Sequence, residues 1–240
     1  MRVLVAFFIV FFSHSLFSKN INFITLDIAP WAYYDEESGE LSGIFSDVMK
    51  EIEKRTGYDI TVSLSSYAFS RINRELESGR QDCTMIISSE KRKDITFLGE
   101  KVFDLNMGVI ARKGVLIKTK EDFKNIKASI MEILSSREGF LAPDDFIRQV
   151  DSTYNVGLKK LKYKRVDAIV GAIPTINYLI KKNGMQDDLE KPFVISNEPI
   201  YLQCSKKLKE LEYFESLNHV IRNMRSEGVL EKIVKKHSWY

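Results

Sequence analysis

An α/β fold with a mostly parallel sheet is the architecture this sequence predicts, on three observations. Short β-like runs alternate with amphipathic helical stretches from Ile21 onward, the pattern of strand-helix-strand units. The alternation restarts near residue 107, so two such units follow one another. The chain of 240 residues is 44% hydrophobic and 29% charged, which supplies one large or two modest cores and excludes a disordered or fibrous protein.

The first unit reads in order. Residues 21–26 form a strand, followed by the aromatic-rich loop Pro30-Trp31-Ala32-Tyr33-Tyr34. Phe45, Val48, Met49 and Ile52 recur at helical spacing, and Gly57 closes that helix. Residues 60–64 form a second strand, residues 70–77 a helix stopped by Gly79, and residues 83–87 a third strand ending in Ser88-Ser89.

The second unit begins after a strand at 107–111, which Arg112-Lys113-Gly114 closes. A strand at 127–131 opens a new strand and helix series. The strand at 166–170 ends at Gly171-Ala172, before a helix that Pro174 opens as its first residue. Residues 192–196, Pro199 and 201–204 are extended chain. Residues 208–237 form a helical tail with apolar Leu211, Phe214, Leu217, Val220, Ile221 and Met224, broken at Gly228. No internal repeat or low-complexity segment is visible.

The N-terminus sets the compartment. Met1-Arg2 precedes ten unbroken apolar residues, 3–12, and then the small and polar stretch Ser13 to Ser18. The apolar run is too short to span ~30 Å of hydrocarbon, so residues 1–18 read as a secretory signal peptide cut between Ser15 and Lys19. No Cys lies there to take a lipid anchor, and a free periplasmic product is expected. A buried N-terminal strand or helix is the alternative.

Charge and motif content exclude several functions. A net charge of +3, with basic residues interleaved among acidic ones, is no nucleic-acid footprint. The densest basic run, Lys159 to Arg165, reads as a solvated helix face. After export only His219 and His237 remain, both on the helical tail, so neither a Ser-His-Asp system nor a zinc site can be assembled. No phosphate-binding glycine loop is present, and no cofactor or metal is expected.

The series Pro30-Trp31 with Tyr33, Gly39, Gly43-Ile44-Phe45-Ser46-Asp47, Leu76 with Gly79 and Asp82, Lys91-Arg92 before Phe97, and Arg165-Val166-Asp167-Ala168 continues through Tyr201-Leu202, Ser205-Lys206, Asn218, Gly228, Ile233 and Tyr240. In this order it resembles the extracytoplasmic solute-binding proteins of the polar amino acid importer type, bacterial solute-binding protein family 3. The resemblance covers essentially the whole mature chain. It implies the two-lobe type II periplasmic binding fold, with crossings near 111–114 and 196–199. Lobe 1 would be discontinuous, residues 19–111 and 199–240, lobe 2 would be residues 112–198, and the ligand would sit in the cleft between them. Cys83 and Cys204 then both fall on lobe 1 strands, where an oxidising compartment could pair them, although two buried free thiols is the favoured reading.

In that family an Arg holds the ligand carboxylate and an Asp its ammonium, because buried charges need partners. Counted back from Phe97, the Arg position falls on Lys91, with Arg92 beside it; counted on from Asp167, the Asp position falls on Ala172. Lys does not reproduce a bidentate clamp and Ala carries no charge, so an ordinary α-amino acid is a poor fit. Arg71 resembles an Arg of a divergent branch that faces the cleft, with a solvated helix residue as the alternative. Ser88-Ser89 and Ser135-Ser136 occupy family turn positions whose amides hold carboxylates, or else they cap helices. Trp31 and Tyr33 supply an aromatic wall, while Tyr34 fits core packing better. Asp27 could pair a cation at the mouth, and Asp47 and Asp167 suit helix starts and turns.

The function this implies is capture of a small polar or anionic, amino acid-like solute by a non-enzymatic monomer that delivers it to the membrane permease of an ABC importer. Two alternatives remain open: a sensory module for a separate membrane receptor, and a dehydratase-like enzyme on the same scaffold, which Ala172 disfavours.

Overall fold

The computed structural model describes residues 20–66, 68–135, 145–208 and 210–237. Its first unit runs β1 (Asn20–Leu26), the short hairpin β2 (Tyr33–Tyr34) and β3 (Leu41–Ser42), α1 (Ile44–Thr56), β4 (Asp59–Ser65), α2 (Phe69–Ser78), β5 (Cys83–Ile87) and α3 (Glu90–Ile95). The long strand β6 (Thr96–Ala111) leads to the second unit: β7 (Lys127–Met131), α4 (Glu132–Ser135), β8 (Ile147–Asp151), α5 (Tyr154–Lys162), β9 (Ala168–Ala172) and α6 (Ile173–Lys182). A second long strand, β10 (Phe193–Ser205), returns to α7 (Leu211–Ser226) and α8 (Val229–His237).

Eight strands form one sheet in the order β4-β1-β5-β10-β6-β9-β7-β8. The two flanks are parallel, β1 with β4 and β5, and β7 with β8 and β9. The middle of the sheet departs from the expected parallel pattern, because β10 pairs antiparallel with both β5 and β6, and β6 pairs antiparallel with β9. The chain crosses outward on β6 and back on β10, and two strands running in opposite senses side by side must pair antiparallel. They join the flanks into two lobes.

The long strands explain what periodicity missed. Only residues 107–111 of β6 read as a strand, since Lys101, Asp104 and Asn106 interrupt the apolar alternation. The main core threads both flanks, from Phe23 and Val48 to Ile130 and Ile176, and a smaller cluster of Ile24, Ile72, Leu76 and Ile86 lies under α2. Removing such side chains from water at about 25 cal/mol per Å² is the main favourable term.

The cysteine reading is corrected. Cys83 and Cys204 are directly opposite each other in the β5–β10 register and form a disulfide. The return of β10 beside β5 is what brings together two residues 121 positions apart.

Candidate functional site

The site grows from the C-terminal end of β1. The first amides of α1 donate to the preceding loop, Ile44 N–H to the Pro30 carbonyl at 2.9 Å and Phe45 N–H to the Trp31 carbonyl at 2.7 Å. This close approach requires Gly43, with φ 109°, because a Cβ there would lie 2.6 Å from the Trp31 carbonyl oxygen. Trp31 is thereby held over the junction of the two lobes, its ring stacked on Phe103 at 5.3 Å and tilted against Phe45 at 6.0 Å. From lobe 2, Thr175 Oγ1 accepts the indole N–H at 2.9 Å.

Trp31 lines a cavity with about 640 Å³ of empty space, shared between the lobes and part of it open to solvent. Lobe 1 contributes Thr25, Phe45, Phe69 and Met85, and lobe 2 contributes Met131, Tyr154 and Ala172. No acidic or basic side chain lines it among the described residues. Tyr154, at the first turn of α5, accepts the Ala172 N–H on its hydroxyl at 2.9 Å. Thr25 is 4% exposed, and its Oγ1 has no hydrogen-bond partner among the described residues.

A wider polar groove shares Ile28 and Thr175 with the cavity. Tyr33 and Tyr178 meet there at 5.9 Å, and Glu36 bonds Lys182 at 3.0 Å across the lobes. Burial and a hydrogen bond with Tyr33 push the Tyr178 hydroxyl up to about 12. Asp27, Lys159 and Lys162 also face this groove. Two residues of the basic run therefore look into it, beside the acidic Asp35-Glu36-Glu37 loop.

The sequence candidates separate into three groups. Trp31 and Ala172 line the cavity, while Tyr33 lies in the outer groove. Tyr34, expected in the core, is 56% exposed at the groove rim because the β2–β3 hairpin turns it outward. Arg71 and Lys91 are exposed and do not line the cavity. Arg92 is the buried cation, 4% exposed, and donates to Asn73 Oδ1 at 3.0 Å and to the Ile87 carbonyl. Its guanidinium carbon lies 5.3 Å from the Phe69 ring, and it is Phe69 that faces the cavity.

Of the paired serines, Ser89 and Ser135 make local contacts in helices. Ser89 caps α3, its Oγ accepting the Arg92 N–H at 3.4 Å, and the buried Ser88 Oγ has no partner among the described residues. Ser135 is the last described residue of α4 and does not open it, with its Oγ donating to the Glu132 carbonyl at 2.9 Å. Ser136 lies outside the described residues. Asp47 holds the end of α8 through Lys236 and His237, and Asp167 pairs with Arg112 at 2.9 Å where β6 ends. No group of three or more potential metal ligands occurs among the described residues.

Thr25, Phe69, Met85, Met131, Tyr154 and Thr175 were not foreseen. Most read as core from sequence. Tyr154 had a usable signal in Ser152-Thr153, since Thr153 Oγ1 caps α5 by accepting the Val156 N–H and so fixes where that helix starts.

The family model of the bacterial extracellular solute-binding proteins, family 3, matches residues 22–239. Among solved structures, a mutant of ArgBP from T. maritima is similar at 21% identity and TM-score 0.69, over 91% of this chain and 94% of that one. The GluR0 ligand-binding core in complex with L-glutamate gives 15% identity and TM-score 0.76, over 93% and 99%. An ABC uptake transporter substrate-binding protein from Streptococcus pneumoniae with bound histidine gives 15% and 0.73, over 91% and 92%. Comparison with curated proteins returns no match. The fold of these structures is the two-lobe type II periplasmic binding fold.

Proposed function

The chain belongs to the bacterial extracellular solute-binding proteins, family 3, and from that membership we propose that it captures a small solute of amino acid size between its lobes and delivers it to the membrane permease of an ABC importer. The observation that carries this reading is the cavity lined by Trp31 and Thr175, which hydrogen-bond to each other, lie 144 residues apart and come from opposite lobes. A site shared by two lobes binds by closing, and the closed form is what a permease can distinguish from the open one.

Residues 1–18 act as the signal peptide in this proposal, residues 19–111 with 199–240 form one lobe, and residues 112–198 form the other. The Cys83–Cys204 disulfide fits an oxidising extracytoplasmic compartment. No helix among the described residues is long and apolar enough to cross a membrane.

A thermal-shift screen of a solute library against the mature chain tests the proposal. A true ligand at 100 times its dissociation constant adds about 2.7 kcal/mol, or roughly 5–10 °C. X-ray scattering should show compaction with the same compound, and uptake of it should fail in a strain lacking the protein. A library in which nothing shifts the melting temperature would sink the reading.

A further inference from the structure

We propose that the cavity takes an uncharged, largely apolar solute of one or two rings, anchored by a single hydrogen bond to Thr25 Oγ1, in place of a zwitterionic amino acid. This rests on the solute-binding reading above and specifies its ligand.

Charge is the first argument. A zwitterion brings a carboxylate and an ammonium into a desolvated space, and each is strongly disfavoured there without an ionic partner. Arg71 and Lys91 are exposed and away from the lining. Arg92 is committed to Asn73 and the Ile87 carbonyl, with Phe69 occupying the cavity wall in its place. The residue at the end of β9 is Ala172, whose methyl group pairs nothing.

The lining is the second. Trp31, Phe45 and Phe69 offer flat faces, and Met85, Met107 and Met131 are flexible thioethers that conform to an apolar guest.

The third is a buried hydroxyl with no partner. Thr175 Oγ1 already accepts from Trp31, and Tyr154 Oη from the Ala172 amide. Thr25 lines the cavity and is buried, and its Oγ1 has no partner among the described residues. Buried hydroxyls are normally bonded, so a ligand hydroxyl or N–H is the group that completes it.

Calorimetric titration of the mature, disulfide-intact protein tests this with p-cresol, indole and toluene on one side, and L-glutamine, L-arginine, L-glutamate and L-phenylalanine on the other. Binding of p-cresol and indole at one site, with no heat from the amino acids, is expected. Thr25→Val should weaken p-cresol about 2- to 10-fold and leave toluene unchanged, while Thr25→Ser keeps the hydroxyl and the preference. An amino acid that binds more tightly than every apolar probe overturns the proposal and leaves the solute-binding function standing. Equal weakening of p-cresol and toluene by Thr25→Val overturns the anchor. If no probe of either class binds and scattering shows no compaction, both this inference and the function it rests on fail.

Discussion

The indole N–H of Trp31 donates to Thr175 Oγ1 at 2.9 Å, and both side chains are buried, so one hydrogen bond joins the two lobes within the cavity lining. Lobe separation must break it. Thr175→Val keeps the shape of the side chain but leaves a buried indole N–H unpaired, which costs about 1–3 kcal/mol. That cost falls on the closed form. The variant should show a larger radius of gyration by X-ray scattering and roughly tenfold weaker solute binding, with little change in the folding of either lobe. Unchanged compactness and affinity would mean that Trp31 and Thr175 do not govern closure.

Acid should loosen the helical tail. Hydrogen bonds from Arg225 and then Arg222 hold the Glu100 carboxyl below the usual range, against the opposing effect of burial. Burial pushes Asp47 up, but its bonds to Lys236 and His237 outweigh that and leave it lowered. A group whose folded pKa is depressed contributes its stability fully above its unfolded value, and loses it as pH falls through the folded value. The contribution of these two carboxylates is therefore constant between about pH 6 and 8 and declines below about pH 4.5. Glu100→Gln should cost about 1–2 kcal/mol near neutrality and flatten the acid limb of the melting-temperature profile. An acid limb as steep as that of the parent protein would remove Glu100 from this account.

The disulfide joins two residues that are fully buried, so reductant reaches it only when the strands open. Its bridge spans 121 positions, and restricting a loop that long in the unfolded chain stabilises the folded state by about 2–5 kcal/mol. Urea unfolding of Cys83→Ala/Cys204→Ala should reveal a loss in that range. Thiol labelling of the native parent should detect no reactive cysteine. Rapid labelling under native conditions would show that the bridge does not persist in the folded protein.

Much of the fold was legible because it is written in local periodicity. The apolar spacing of Phe45, Val48, Met49 and Ile52 and the closing Gly57 give α1, and the run at 83–87 coincides with β5. What depended on distant pairing was not legible. Cys83 and Cys204 looked like separate buried thiols because only the antiparallel return of β10 puts them in register. The cavity was hidden for a related reason: Thr25, Met85 and Met131 have core-like surroundings in sequence, and only the meeting of two lobes turns them into a lining. Counting from Phe97 pointed to Lys91, whereas α3 turns Arg92 inward toward Asn73 and leaves Lys91 outside.

Gly171 tests whether the cavity floor has room to adjust. A Cβ at this position would lie 2.1 Å from Tyr154 Oη and 2.5 and 2.6 Å from the ring atoms Cε1 and Cζ. Gly171→Ala therefore cannot be absorbed by rotating a hydroxyl, and the whole ring must move. Moving it breaks the bond between Tyr154 Oη and the Ala172 N–H, which joins the start of α5 to the end of β9. Overpacking of this kind costs about 1–3 kcal/mol, and the displaced ring has the cavity as a neighbour, so solute affinity should fall together with stability. Adding Tyr154→Phe removes only the nearest atom and should not restore binding, because the ring carbons still clash. Tyr154→Leu in the same background relieves the clash and should recover melting temperature, though with an altered ligand preference. If Gly171→Ala alone melts and binds like the parent protein, then Tyr154 is free to retreat and the lobe 2 wall of the cavity is not fixed by this contact.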